Sequence, residues 1–349
     1  MRIALEEVLP YGSAEVGRLF GARSTARELV AGLLDCAAEE IAFVPNTSTG
    51  IHLVADGLDW RPGDQVVLFD RDFPANVRPW LRLRRHGVTF RWVPMRDGGH
   101  RLEDVAAAIG PATRLVAVGH VNFATGFRCD LDGICELAAD VGALVCVDAV
   151  QSLGVVPLSM ARTPVDFLEA GAQKWLCGPP GTGVFYCRAH RLDLLRSTPT
   201  GWFGFEGAAQ VTNGPGHLRY DLPERADVGR IEGGTYDLLG MAGLAAALAE
   251  LDAVGIDTVA ARVGSLTARL RAGVTELGYR PATSSDDDLQ SGIVSFSSPV
   301  GPGAEVVRKL ADAGIHASTP DGYIRISPHF WTTGEEIEMC LRELAVHQR

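Results

Sequence analysis

What this 349-residue sequence lacks narrows its chemistry before any motif is considered. No stretch approaches the ~20 apolar residues that span a bilayer. The opening, MRIALEEVLPYGSAE, has two early glutamates and no apolar core, so it does not read as a signal peptide. Positive charge is in deficit: 43 Asp and Glu face 32 Lys and Arg, a net charge of −11. Nucleic acids and anionic membranes demand clustered positive charge, so neither is expected as the main partner, while a small basic site for a phosphate or carboxylate stays compatible. The seven cysteines are odd in number and scattered, without paired CxxC motifs, which argues against a zinc site and a disulfide framework. Most sit in apolar company, as Cys146 does in Leu144-Val145-Cys146-Val147, where a buried thiol is the ordinary outcome. There is no internal repeat, and no GxGxxG follows the first strand as a dinucleotide-binding fold would require. These absences point to a soluble, reduced, cytoplasmic protein.

What is present is an apolar fraction of 46%, enough for a sizeable core, and a strand–helix alternation from about residue 40 to 190. β-Branched runs predict strands at 41–44, 65–69, 88–93, 114–118, 144–147, 166–168 and 183–187. Between several of them lie apolar residues at helical spacing, as in Leu131, Ile134, Leu137, Ala138 and Val141. Such alternation builds an α/β fold with a mostly parallel sheet sandwiched by helices. Residues 188–235 change character: glycine, proline and aromatics replace periodicity, as a long loop region over a site would. Helices are expected at 238–251 and 259–277, then strand 292–296, helix 304–313, strand 323–326 and helix 334–344. The polar run 284–288 reads as a solvated turn. The division expected is a large domain over residues 1–235 and, over 236–349, an interface helix followed by a smaller α+β domain.

The chemistry concentrates between Ala143 and Cys187. A buried strand, Leu144-Val145-Cys146-Val147, ends in Asp148, and a carboxylate at the C-terminal end of a parallel strand points into the crevice where open α/β sheets bind ligands. A second short strand leads to Gln173-Lys174-Trp175 and a rigid turn, Gly178-Pro179-Pro180-Gly181-Thr182-Gly183. Alone, such an Asp is often a cap or surface residue and such a Lys is usually just solvated. Together they suit pyridoxal 5'-phosphate (PLP), which needs an amine to form an imine and a carboxylate to keep its pyridine nitrogen protonated. A lysine beside an apolar Trp175 can be desolvated, and so deprotonated for attack.

The run Val147-Asp148-Ala149-Val150-Gln151-Ser152-Leu153-Gly154, then Asp166-Phe167, Gln173-Lys174-Trp175 and GPPGTGVFY, resembles the class V aminotransferases. That PLP-dependent family includes cysteine desulfurases, kynureninases, epimerases and carbon–sulfur lyases, and the likeness runs from about residue 25 to the C-terminus. It implies the fold-type I architecture, with a mostly parallel seven-stranded sheet, and a homodimer with shared sites. It further implies that Asp148 pairs with the pyridine nitrogen, Gln151 hydrogen-bonds the phenolic oxygen and Lys174 forms the imine. In Val44-Pro45-Asn46-Thr47-Ser48-Thr49-Gly50, a turn after a strand that opens a helix, the resemblance assigns cofactor phosphate to Thr47 and Ser48, though N-capping alone would also favour these residue types. Phe73 falls where the family stacks a ring on the cofactor; plain core is the competing role. Arg325, in Tyr323-Ile324-Arg325-Ile326, would grip the substrate carboxylate with its guanidinium fork. Thr235 would reach the phosphate of a neighbouring subunit, and Asn122 would sit near the substrate.

The sequence also departs from the family pattern. Desulfurases carry a nucleophilic cysteine on a mobile loop shortly before the arginine, yet no cysteine lies between Cys187 and Cys340. The stacking histidine of desulfurases is Phe73, which cannot shuttle protons. Gly171 replaces a small hydroxyl residue and Gln173 replaces a histidine, two altered contacts to the cofactor. The N-terminal arm that lines the pocket of relatives looks cut short. The sequence thus points to an amino-acid-acting PLP enzyme, an aminotransferase or a β-eliminating C–S lyase. An epimerase, a desulfurase-like enzyme without the cysteine loop, and a catalytically silent PLP-fold regulator are the alternatives. Epimerisation would need a second acid or base, for which His52, His120, His316 and His329 are available but unassigned.

Overall fold

A computed structural model of the chain describes residues 6, 16–196, 200–208, 216, 219–283 and 290–347. Most of the expected N-terminal arm and the polar run 284–288 lie outside these residues. Helix α1 (Val16–Leu34) leads into strand β1 (Ile41–Val44) and helix α2 (Thr47–Gly57). There follow β2 (Gln65–Phe69), the short α3 (Arg78–Leu81), β3 (Thr89–Val93), α4 (Leu102–Ala108), β4 (Thr113–Gly119), α5 (Leu131–Asp140), β5 (Leu144–Asp148), β6 (Phe167–Gly171) and β7 (Gly183–Cys187). These seven strands form one sheet in the order β1-β7-β6-β5-β4-β2-β3. β3, β2, β4, β5 and β6 run parallel, and β7 is antiparallel to both its neighbours.

The sequence pattern explains the layering. β5, β6 and β7 are buried along their whole length because helices cover both sheet faces, whereas edge strand β3 stays largely exposed. The two faces correspond to two clusters. Val118, Val145, Val147 and Tyr186 pack with α1 and α5 on one side; Leu68, Cys146, Phe167 and Phe185 pack with α2 on the other. All seven strands expected from the β-branched runs are present; three have the expected bounds and the others have ends shifted by one to three residues.

Residues 188–235 hold only short 3₁₀ turns among the described residues, such as Trp202–Gly204 and Val228–Ile231, as the loss of periodicity implies. Helices α6 (Leu238–Val254) and α7 (Ile256–Glu276) meet at Gly255 with an 81° bend. Gly255 sits at φ +82°, a left-handed backbone that glycine adopts without steric cost. Met241, Leu244 and Leu248 of α6 and Val259 and Val263 of α7 belong to the large core; Leu266, Leu270 and Val274 of α7 belong to a second one. That second core lies against a three-stranded antiparallel sheet of β8 (Arg280–Pro281), β9 (Val294–Ser297) and β10 (Ile324–Ile326), covered by α8 (Gly303–Asp312) and α9 (Gly334–Val346). Thus α7 carries the chain from one core into the other. Among the described residues no single helix is long and apolar enough to cross a membrane.

Candidate active site

Parallel strands expose their C-terminal ends on one edge of the sheet, and the chain gathers its polar residues there. A cleft of about 170 Å³ is lined by Asn46, Thr47 and Ser48 at the start of α2, Asp72 and Phe73 after β2, and Gly119 at the end of β4. Asp148 and Gln151 line it after β5, and Gln173 and Lys174 after β6. Seven of the residues singled out by sequence therefore share one cavity: Thr47, Ser48, Phe73, Asp148, Gln151, Gln173 and Lys174.

Lys174 lies on the loop joining β6 to antiparallel β7. That loop is closed by backbone bonds from Ala172 N–H to Thr182 O and from Gly178 N–H to Ala172 O, both 2.9 Å. Cys177 takes φ +56° within it. Desolvation first, and the nearby Arg325 charge second, lower the Lys174 pKa, while Asp148 opposes them. A lowered pKa favours the neutral amine that a base or nucleophile requires. Asp148 is 4% exposed and receives one hydrogen bond, from the Val150 N–H at 3.0 Å. Burial, reinforced by the Asp72 carboxylate, pushes its pKa up to about 7.

Gln151 is also buried, and its Nε2 has no hydrogen-bond partner among the described residues. A buried unpaired donor costs free energy, so this atom identifies where a ligand acceptor would fit. Phe73 is 44% exposed and makes only an edge-to-face contact with Phe123 at 5.1 Å, which leaves a ring face open to a flat ligand and does not fit plain core. Asn46 caps α2 by accepting from the Thr49 N–H at 2.9 Å, and Thr47 Oγ1 accepts from the Gly171 N–H at 2.8 Å. The start of this 11-residue helix therefore presents backbone N–H groups and the exposed Ser48 toward the cleft. The two departures at Gly171 and Gln173 are one coupled change. A Cβ at position 171 would lie 2.5 Å from Gln173 Oε1, so the longer amide occupies the space that glycine vacates.

Three expected site residues lie elsewhere. Arg325, on β10, is outside the cleft lining but bonds to it: Nη1 donates to the carbonyl of cleft-lining Phe123 at 2.6 Å, and Nε to Ser318 Oγ at 3.0 Å. Its Nη2 has no partner among the described residues. Thr235 is exposed and lies outside the cleft of its own chain. Asn122 does not line the cleft: Nδ2 donates to the Arg71 carbonyl, while Oδ1 receives the Ala124 and Thr125 N–H groups. Its amide organises a turn, and the neighbouring Val121 and Phe123 line the cleft instead.

Sequence reasoning missed Asp72 as a site residue, because only the fold brings it beside Asp148. It also missed Glu169. This residue is fully buried on β6 in register with Asp148, and the only hydrogen-bond partner of its carboxyl among the described residues is the Cys146 thiol at 3.5 Å. Burial holds its pKa well above the usual carboxylate range. Gly50 of α2 makes room for it, since a Cβ there would come within 2.5 Å of Glu169 Cγ.

The segment ahead of Arg325 folds back as a tight hairpin. Ser318 and Arg325 exchange backbone bonds, and Asp321 at the tip pairs with Arg71 at 2.9 Å. No cysteine lines the cleft. Cys177 points to His329, whose Nε2 lies 3.5 Å from its sulfur.

Comparison with known proteins agrees with this geometry. The profile of the family described as Aminotransferase class-V matches residues 16–338. A probable cysteine desulfurase of Methanothermobacter thermautotrophicus is 32% identical, over 92% of this chain and 83% of that one. An isopenicillin N epimerase of Amycolatopsis lactamdurans is 28% identical, over 92% and 84%. Among solved structures, the cystine C-S lyase C-DES in complex with its product cysteine persulfide superposes with a TM-score of 0.87 at 27% identity, covering 98% of this chain and 90% of that one. A variant of C-DES carries glycine covalently linked to its PLP cofactor.

The residues present fit that cofactor. The cleft offers an amine at Lys174, a buried carboxyl at Asp148, an unpaired amide at Gln151, the exposed ring of Phe73 and the N-terminus of α2, the kinds of group that a phosphorylated pyridine aldehyde needs. A desolvated lysine and a buried carboxylate at the ends of adjacent strands meet what an enzyme using pyridoxal phosphate on an amino acid requires, and with the family match over nearly the whole length this chain belongs to the class-V aminotransferases.

Proposed function

We propose that the protein is a β-eliminating C–S lyase acting on a cysteine-type amino acid. The observation that carries this reading is that the cleft holds one amine base, Lys174, and no thiol. Elimination needs only a base at the Cα proton and a leaving group at Cβ; persulfide transfer to the enzyme needs a mobile nucleophilic cysteine as well. The segment before Arg325 is a tight hairpin that carries no cysteine, and its tip pairs with Arg71. Similarity to the cystine C-S lyase C-DES supports the same reading.

Each residue then has a task. Arg325, with Nη2 uncommitted, pairs with the substrate α-carboxylate. Phe73 stacks over the cofactor ring, Asp148 holds the ring nitrogen, and Gln151 donates to the phenolic oxygen. The start of α2 takes the phosphate through backbone N–H groups, Thr47 and Ser48, with Gln173 beside them. The bound cofactor supplies an electron sink for the carbanion. Lys174 removes the Cα proton and returns a proton when the product leaves. Epimerisation, suggested by the isopenicillin N epimerase relative, needs a second acid or base on the opposite face. The only other carboxyls lining the cleft are Asp148 and Asp72, and Asp72 is already engaged by three donors.

The active unit is a homodimer in which the exposed Thr235 completes the phosphate site of the second copy. Thr235→Ala should weaken cofactor binding without unfolding the chain, and a fully active monomer at micromolar concentration would refute the shared site.

The functional test incubates purified protein with L-cystine and L-cysteine, with and without 2-oxoglutarate. The expected products are pyruvate, ammonia and free sulfide or persulfide, independent of the oxoacid, with turnover nearly unchanged in Cys177→Ser. Alanine formed together with a persulfide on Cys177 would make the protein a desulfurase. A new amino acid formed only with the oxoacid would make it an aminotransferase.

A further inference from the structure

Two carboxyls, Asp72 and Asp148, line the cleft; the N–H of Gly119, in register with Asp148 on the neighbouring strand, donates to Asp72, and the two are not equally equipped. Asp72 accepts three hydrogen bonds: from the Phe73 N–H at 2.6 Å, the Gly119 N–H at 2.9 Å and Asn76 Nδ2 at 2.9 Å. Asn76 is itself 1% exposed, so this donor set is rigid. Even the absence of a side chain at position 119 belongs to it, since a Cβ there would sit 2.7 Å from Asp72 Oδ1. Asp148 receives one donor, on Oδ1, and among the described residues none on Oδ2. Hydrogen bonds to a carboxylate favour its charged form, and two like charges in a poorly solvated site cannot both form cheaply. The donor count therefore decides which of the two carries the proton.

We propose that Asp72 is a positioning residue that makes Asp148 the protonated member of the pair in the cofactor-free protein, so that the proton needed on the pyridine nitrogen is stored before the cofactor arrives. The inference rests on Asp148 facing that nitrogen, as read above. On binding, the O–H bond of Asp148 breaks, an N–H bond forms on the ring nitrogen, and the electron pair stays on Asp148 as a carboxylate. Burial raises the Asp72 carboxyl too, but its three donors oppose that rise, and as the better-supported carboxylate it favours the ring cation. The other titratable groups around the pair leave the assignment intact. Glu169, in register on β6, is held neutral by burial. Cys146 on β5 and Cys129 beside Asp72 are thiols pushed upward by burial. Lys174 favours an ionised Asp148, but burial and Arg325 weaken its own charge. Burial and the Asp72 charge move the Asp148 carboxyl up to about 7, in line with the donor count.

The test reads protonation directly, without turnover. Apo-protein with ¹³C-carboxyl-labelled aspartate is followed by infrared spectroscopy from pH 5 to 9. One carboxylic-acid band should titrate near 7, vanish in Asp148→Asn, and shift its midpoint down by about one pH unit or more in Asp72→Asn. Should Asp72→Asn not fold, Asp72→Ser removes the same charge and reads the same shift. An acid band that survives in Asp148→Asn, or a midpoint unmoved by loss of the Asp72 charge, overturns the pairing. Adding pyridoxal phosphate at pH 6.5 should abolish the band. If the band persists with cofactor bound while the variants behave as expected, the pairing stands, but Asp148 does not face the ring nitrogen and the stored-proton role is overturned.

Discussion

Replacing Gln151 by Met should move stability and cofactor affinity in opposite directions. Gln151 is 5% exposed, and its Nε2 is buried without a partner. An unsatisfied buried donor costs about 1–3 kcal/mol, whereas an apolar side chain of similar shape carries no such penalty. Met is close to Gln in length and volume and is flexible enough to repack. The cofactor-free variant should therefore be more stable than the parent by about 1–2 kcal/mol. For a chain of this length that is a rise in Tm of roughly 1–3 °C. In the loaded protein the same nitrogen donates to a charged oxygen, a bond worth about 1.5–3 kcal/mol. Its loss should weaken cofactor binding by about 10- to 150-fold. Thermal unfolding with and without pyridoxal phosphate, together with a fluorescence titration of the apo-protein, measures both quantities on one pair of proteins. If apo Gln151→Met unfolds at a lower temperature than the parent, Nε2 has a structural role and the reasoning fails. If affinity is unchanged, Gln151 does not contact the cofactor.

Three other predictions rest on separate features. The sequence contains only two lysines, Lys174 and Lys309, so borohydride reduction of the loaded enzyme followed by peptide mapping gives a binary result: the pyridoxyl label should fall on Lys174, and a label on Lys309 on α8 refutes the assignment. Arg325→Lys should raise KM for the amino acid about 10- to 100-fold, because the ammonium replaces a planar fork already oriented by Phe123 and Ser318; an unchanged KM would remove Arg325 from the substrate site. The Asp148 carboxyl titrates near 7 in the folded apo-protein against an ordinary value of 3.8, so the folded state binds the extra proton. Its contribution to stability is full below about pH 4 and is lost as pH rises through 7, by about 4 kcal/mol. The stability difference between parent and Asp148→Asn should follow that slope, and a flat difference over this range would mean that Asp148 is ionised throughout.

Much of this protein was legible in one dimension because its signals are local. β-Branched runs between amphipathic segments specify the strands of a parallel sheet, and burial of β5 to β7 on both faces follows from their mostly apolar sequence, which Asp148 and Glu169 alone interrupt. The strand ending in Asp148, the loop bearing Lys174 and the polar turn before α2 mark three loops at the C-terminal edge of one sheet, so their meeting in one cleft follows from topology. Tertiary structure alone decided the partners. Asn122 carries an amide and could have faced a substrate, but its Nδ2 donates to the Arg71 carbonyl and its Oδ1 is taken by the turn at 124–125. Asp72 gives no sign in sequence beyond preceding Phe73. It becomes part of the site because β2 and β4 are neighbours, which places its carboxylate against Gly119 and within the field of Asp148. Glu169 reads as an ordinary charged residue until the fold shows it sealed beneath Gly50. Hydrophobic periodicity is set by each residue and its near neighbours, whereas a proton's location depends on charges and donors that only the folded chain brings together.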